Sequence, residues 1–427
     1  MLNRRAWMQG MAAGAALPWG AAQAQSKSLT FVGWSQDEAA SKPTLTAMFE
    51  AYRKVNPDVK LEVVGFPWAQ MQQNILLRMR SGQSLDVVQL AERWLPQFAV
   101  TNRLVDLNEV FGKSHLTRQI NAGLLNLGEY KGKQLGLPWT AGSIGMVGNR
   151  ALMQEAGVTR IPKTVDEFIE TLKTIKKARP QSVPYAMTTK NNNSLSPDFQ
   201  VWLWTFGGEL LGDKGEVKVQ SQAAVRALSF MTDMVKEGLA AKDIDRPDAR
   251  RMFAMNQTAF YYDAPLARGF ARSNSGKGTD FDRFVAAVPT PVLKNGDPTR
   301  SLAWGHLLTF FGDGKSVPSA QSVQAQFASH LAMNDASQIA YFNDQGLFPV
   351  TNSALAQLKN DAYVSEWSAS ARSALRDEPS FWPNSADLTN IVGEEVQSAL
   401  LSIKTPQAAI ESMAKRMQAK MAELPKT

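Results

Sequence analysis

The 427-residue sequence contains no cysteine. That rules out a disulfide framework, a thiolate metal site and a thiol nucleophile, and leaves no cysteine for a lipid anchor. Histidine is scarce, with only His115, His306 and His330. No two of them are spaced as metal ligands and there is no H-E-x-x-H, so neither a zinc centre nor any other cofactor is expected. No glycine loop suited to phosphates occurs, since Gly207-Gly208 lacks both a following G-K-S/T and the dinucleotide-binding spacing. Lys and Arg number 46 against 39 Asp and Glu, a net +7, but they are dispersed. A nucleic-acid binder would gather them into a stripe. Beyond the first two dozen residues, charges interrupt every apolar run well short of the ~20 residues a membrane span needs, so no integral membrane segment is expected.

Those first residues have their own pattern. Arg4-Arg5 precedes a small-residue apolar run from Ala6 to about Ala16, and Pro18 and Gly20 break it before Ala22-Gln23-Ala24. A charged start, a short apolar stretch and an A-x-A site describe an export signal cleaved near Ala24. The arginine pair followed by Trp7 suits either the general or the twin-arginine route. With no anchoring cysteine, the mature chain is expected to be diffusible in a periplasm.

Hydrophobic residues make up 44% of the sequence, which supports compact folding. Leu29–Trp34 reads as a buried strand. Leu45, Met48, Phe49 and Tyr52 recur at helical spacing up to the break at Asn56-Pro57. Val59, Leu61 and Val63 alternate as a second strand running to Trp68. A helix follows to Arg80, and Asp86–Leu90 is a third strand leading to Trp94. Strand and helix alternating at this spacing predict a parallel, doubly wound α/β sheet, in which ligands bind beyond the carboxyl ends of the strands. Each strand runs into a tryptophan at that end. Asp86 is expected to satisfy backbone rather than ligand. Further on, Thr164 and Glu167 form a capping box, Ser221 to Glu237 reads as a helix, Phe284–Val288 as a strand, and Thr405-Pro406 opens a last helix.

Catalytic signatures are weak. Ala141-Gly-Ser143-Ile-Gly145 is one residue from a nucleophile elbow, but Ser143 sits in a run that continues as a strand to Val147. Adjacent acids such as Asp37-Glu38 and Glu394-Glu395 read as solvated surface rather than as a glycosidase pair. The stronger signal is aromatic: tryptophans stand at predicted element ends among Asp, Glu, Asn, Gln and Arg. Sugar sites need such surfaces, because a pyranose C–H face lies on a π face while planar polar groups bind adjacent hydroxyls. Trp202 and Trp204, two apart on one helix, are expected to split into one buried ring and one exposed.

A family resemblance rests on pieces in order: Phe49–Val59 with its Asn56-Pro57, Ser81-Gly82 through Val88, Tyr130-Lys-Gly132 through Pro138, and Gly145–Arg150. Ala156-Gly157-Val158, Pro162–Thr164, Met255–Phe260, Val288-Pro289 and Gly346–Val350 continue it. The chain resembles extracellular solute-binding proteins of carbohydrate ABC transporters, the class that includes maltose-binding proteins. The resemblance implies a two-lobed periplasmic-binding-protein fold, each lobe a doubly wound sheet flanked by helices and joined by a hinge. Chain crossings are expected near Pro138, Phe284 and Asn334. Lobe 1 would hold residues 25–138 with 285–334, and lobe 2 residues 139–284 with 335–427. It also implies a monomer without catalytic activity that captures a sugar or oligosaccharide between the lobes and docks on inner-membrane permease subunits driven by a cytoplasmic ATPase. The expected site comprises Trp34, Trp68, Trp94, Trp139, Trp204, Tyr262 and Trp304 as stacking rings, with Glu92, Asp263 and His306 bonding hydroxyls. Where the family carries Gly and then Trp after the Ala259 segment, this chain has Ala264, Pro265 and Leu266, leaving Tyr262 or Asp263 to take that place. Arg93 and Arg372 leave room for a glycerol phosphodiester, a carboxylate-lined aromatic box would suit a polyamine, a polyol is a further candidate, and an exported glycosidase is the enzymatic rival.

Overall fold

A computed structural model describes residues 27–192, 194–314 and 316–424. The expected export signal lies outside the described residues. Among the described residues there are ten strands: β1 Lys27–Gly33, β2 Val59–Gly65, β3 Val87–Ala91, β4 Glu129–Tyr130, β5 Lys133–Gln134, β6 Leu137–Asn149, β7 Phe260–Asp263, β8 Val285–Val288, β9 Ser301–Phe310 and β10 Ala374–Leu375. β4 and β5 form a small ribbon. The main sheet runs β2-β1-β3-β9-β6-β7, with β10 on β9 and β8 on β6.

β1 pairs in parallel with β2 and with β3, which is the doubly wound start the alternation predicts. β1 from Leu29 onward and all of β3 are buried without alternation because helices cover both faces, and Leu29, Phe31, Val87 and Val88 have no exposure. β2, at the edge, alternates: Leu61 is buried between exposed Lys60 and Glu62. The helix Lys42–Val55 places Pro43 in its first turn and buries Leu45, Met48, Phe49 and Tyr52, the four periodic positions. Each such side chain, fully buried, contributes about 1.5–3 kcal/mol. The capping box at Thr164 and Glu167 opens the helix Val165–Ala178, and Thr405 caps Pro406–Ala422. Asp86 accepts the backbone N–H of Thr30 at 2.7 Å, tying β1 to the start of β3.

Two long strands join the halves. β6 pairs with β9 from Leu137 to Ile144, then runs between β7 and β8 from Gly145 to Asn149. β9 in turn pairs with β3 through His306–Phe310. The expected crossing near Pro138 coincides with the start of β6. Just after the crossing expected near Phe284, β8 pairs with the distal half of β6, and Val292 bridges to Thr164. The chain comes back along β9. After Asn334, which caps it, the helix Asp335–Gln345 packs on both Lys42–Val55 and Ala267–Ser275, touching both groups.

Trp202 and Trp204 do not split. The helix Leu195–Thr205 is enclosed by Gln222–Lys236 and Ser385–Leu400, and every residue from Leu195 to Trp204 is buried. Among the described residues no helix is long and apolar enough to cross a membrane.

Candidate ligand-binding cleft

β1, β2 and β3 lead into single 3-10 turns, with Trp34 just before the first, Trp68 opening the second and Trp94 closing the third. The three rings meet. Trp34 lies 4.8 Å from Trp68 and 5.6 Å from Trp94, both edge to face, and Trp68 and Trp94 lie 4.4 Å apart with a 34° tilt. Trp34 and Trp94 are almost fully buried, while Trp68 keeps part of its face open. The cluster is thus both the cap of a small core with Met71 and Ile75 and one wall of a cavity.

That cavity, about 330 Å³, lies beyond the strand ends and is bordered by Trp34, Trp68, Asp263, Trp304 and His306 of the ten expected residues. Trp304 and His306, two apart on β9, face the same way. The His306 ring sits 4.4 Å from Trp304 and 4.7 Å from Trp34. Gln89 fixes its state. The Gln89 Oε1 accepts the N–H groups of Trp34 and Ser35 at 3.1 and 3.2 Å, which settles which end of the amide is which. Its Nε2 therefore donates, to Ser35 Oγ at 2.7 Å and to His306 Nδ1 at 3.0 Å. The His306 proton is left on Nε2, a buried donor without a partner among the described residues. Burial, with Arg93 adding repulsion, lowers the imidazole pKa to about 3. Gly33 makes the approach of Gln89 possible, because a Cβ there would stand 2.7 Å from Gln89 Oε1.

On the opposite side Asp263, at the end of β7, grips Arg250 through two bonds of 2.7 and 3.0 Å and also accepts the Ala264 N–H. Arg250 stacks on Phe270 at 3.7 Å and lies 4.0 Å from Glu38. Burial raises the Glu38 carboxyl to about 7, with Arg250 opposing and Asp263 adding to the shift. One helical turn before Arg250, Arg246 pairs with Asp198 at 2.5 Å, and Asp198 is held from behind by Thr188 at 2.6 Å. Arg93, buried, lies 5.3 Å over the Trp68 ring; burial lowers its guanidinium pKa, and the charges of Glu92 and Asp377 oppose that shift.

The other expected residues stand elsewhere. Trp94 faces a neighbouring cavity of about 300 Å³. Glu92 is buried and accepts the Gly305 N–H at 2.9 Å, so it clamps β3 to β9 rather than facing the cavity. Trp139 has no exposure and stacks on Tyr341 at 5.4 Å, in the core behind His306. Trp204 donates to Glu378 at 2.6 Å, on the buried helix. Tyr262 points away because it neighbours Asp263 on a strand, where side chains alternate. Its ring packs near Trp202 and its hydroxyl reaches Thr290 at 3.3 Å. Of the segment lacking the family's Gly and Trp, Ala264 and Leu266 border the cavity. Arg372 is exposed and not at the cavity. Ser143 lies inside β6, not on a strand-to-helix turn, and shares a 2.8 Å hydrogen bond with Ser370.

Sequence reasoning missed Gln89, Glu38, Arg246 and Arg250. Two signals were available. Gln89 is the one polar residue in an otherwise apolar buried strand, and such a group needs a purpose. Arg246 and Arg250 are four apart behind the Asp245–Asp248 capping box, hence on one face of one helix.

The chain matches the family model for bacterial extracellular solute-binding proteins over residues 36–307. It is 24% identical over 352 residues to the diacetylchitobiose binding protein DasA of Streptomyces coelicolor, covering 78% of this chain and 76% of that one. In fold it is similar to maltose-bound MalE3 of T. maritima, with a TM-score of 0.81 at 21% identity, covering 92% of this chain and 99% of the other. It is also similar to UgpB of Mycobacterium tuberculosis in complex with glycerophosphocholine, with a TM-score of 0.75 at 19% identity, covering 92% and 98%. The fold is therefore the two-lobed one of periplasmic binding proteins, and the chain belongs to the bacterial extracellular solute-binding protein family.

Proposed function

We propose that this protein captures an uncharged sugar or oligosaccharide in the cavity between its lobes and delivers it to the permease of an ABC importer. In this reading it is an exported, periplasmic, monomeric receptor without catalysis. Lobe 1 comprises the β1–β3 group with the distal half of β9, and lobe 2 the β7–β8 group with most of the remaining chain.

The fold alone does not choose the ligand, since UgpB and MalE3 share it. The charge pairing beside the aromatic wall supports the sugar reading. Arg250 is held by Asp263 and Arg246 by Asp198. A phosphodiester needs a guanidinium with charge to spare, and Arg250 and Arg246 each already have a carboxylate. What the cavity offers is ring faces at Trp68 and Trp304, an uncharged donor at His306 and the carboxyl of Glu38, a set suited to C–H faces and hydroxyls.

A thermal-shift screen against saccharides, polyols, glycerol phosphodiesters and polyamines tests this. A ligand at a hundred times its Kd adds about 2.7 kcal/mol. Saccharides are expected to raise the midpoint. A shift with a phosphodiester or spermidine and none with any saccharide would replace the substrate class, and turnover of a glycoside would replace the function. Trp68→Ala should weaken the accepted sugar by about 1–3 kcal/mol in calorimetry.

A further inference from the structure

Next to the principal cavity lies the second one, about 300 Å³, and the two share Ala69, Arg93 and Asn192. Among the described residues nothing else is common to their linings, so these three residues form the threshold between them. Its far side is the first two turns of the helix Ser385–Leu400, through Ser385 and Thr389.

Two features mark this chamber as more than a packing gap. Asp377 and Ser385 both line it and are at least 96% buried, and their Oδ1 and Oγ atoms have no hydrogen-bond partner among the described residues. Natural proteins keep few such atoms, and each needs an explanation. The second feature is the aromatic wall. Trp68 borders the first chamber and Trp94 the second, and with their rings 4.4 Å apart the wall continues past the threshold. Each chamber taken singly is at the lower end of the ~300–1,000 Å³ range of ligand sites.

We propose that the second chamber is a further saccharide subsite, so that the ligand is a linear oligosaccharide that crosses the threshold at Arg93, rests on Trp68 and Trp94, and gives its end hydroxyls to Asp377 and Ser385. This rests on the sugar reading above. A hydroxyl donates to Asp377 Oδ1, and a second exchanges a hydrogen bond with Ser385 Oγ, supplying the partners both atoms lack.

The test is calorimetric titration of the whole mature protein with linear series of one to five units: glucose to maltopentaose, N-acetylglucosamine to chitopentaose, and arabinose to arabinopentaose. Within an accepted series, affinity is expected to rise at least about tenfold from the single unit to a plateau. Thr389→Trp fills the second chamber and should bring the longer sugars down toward the shortest. Asn390→Trp, at an exposed position of the same lining, serves if that variant does not fold. Ser385→Ala should weaken only the longer sugars, about 2–10-fold, without lowering the unfolding midpoint of the unliganded protein, because the hydroxyl has no protein partner to lose. Binding without length dependence, or a length dependence that the filling variants leave intact, overturns the subsite while the sugar reading stands. No binding by any series overturns both.

Discussion

His306 and Glu38 border one cavity, yet burial moves their protonation in opposite functional senses. The His306 ring stays neutral in the fold down to about pH 3, whereas the unfolded chain takes up its proton below about 6.5. Between those values the unfolded state binds more protons, so this residue removes stability as the pH falls through the window. The Glu38 carboxyl keeps its proton up to about 7, against 4.5 when unfolded. Between 4.5 and 7 the folded state binds more protons, so this residue removes stability as the pH rises. Denaturant unfolding across pH 4 to 8 should therefore give a shallower acid-side slope for His306→Gln and a shallower neutral-side slope for Glu38→Gln. Slopes identical to wild type would refute the assignments. Nitrogen NMR gives a separate check. With three histidines in the chain, the resonance lost in His306→Gln should belong to a ring protonated on Nε2 alone throughout that range.

At the scale of elements, the helix Arg246–Ala254 meets β7 through Arg250 and Asp263, whose side chains are 12% and 1% exposed. Removing one partner leaves the other charge buried, so Arg250→Met alone should cost about 3–5 kcal/mol in equilibrium unfolding, and the double variant Arg250→Met, Asp263→Leu should regain most of it. If the single variant unfolds like wild type, the pair is not a buried clamp. Much at this scale was legible in the sequence. Local signals place the strands ending at Trp34, Trp68 and Trp94, the helix over Leu45–Tyr52 and the cap at Thr164, because period and caps are set by neighbours in the chain. Which aromatic residues face the cavity was not local. Trp139 is covered by Tyr341, two hundred residues away. Trp204 lies on a helix enclosed by two later helices. Tyr262 lost its place to Asp263 by strand parity alone. Gln89 acts through His306, which becomes its neighbour only when β3 pairs with β9.

At the scale of the whole molecule, β6 and β9 tie the lobes together, and the cleft opens beside them. Ligand can favour a closed form only through contacts made on both sides at once. The accepted sugar should therefore reduce the radius of gyration in small-angle X-ray scattering, and Trp68→Ala should need more ligand to reach the same compaction. An unchanged radius at saturation would mean a cleft that is already shut. The overall architecture was legible because the motifs of the family fall in order along the chain. The partner of β8 was not legible, because β8 looks like any short apolar strand until its pairing with β6 is seen.

That strand pair also determines how the protein answers a mechanical load. β6 and β9 run antiparallel, paired from Leu137 to Ile144, and each continues into strands of its own lobe. Force applied to separate the lobes would not stretch a slack tether. It would pull along the strands and load several backbone hydrogen bonds in shear together, so they would yield as a group. Pulled apart at one residue in each lobe, the molecule should resist without gradual extension and then give way in a single rupture, which a proline at Leu307 would weaken.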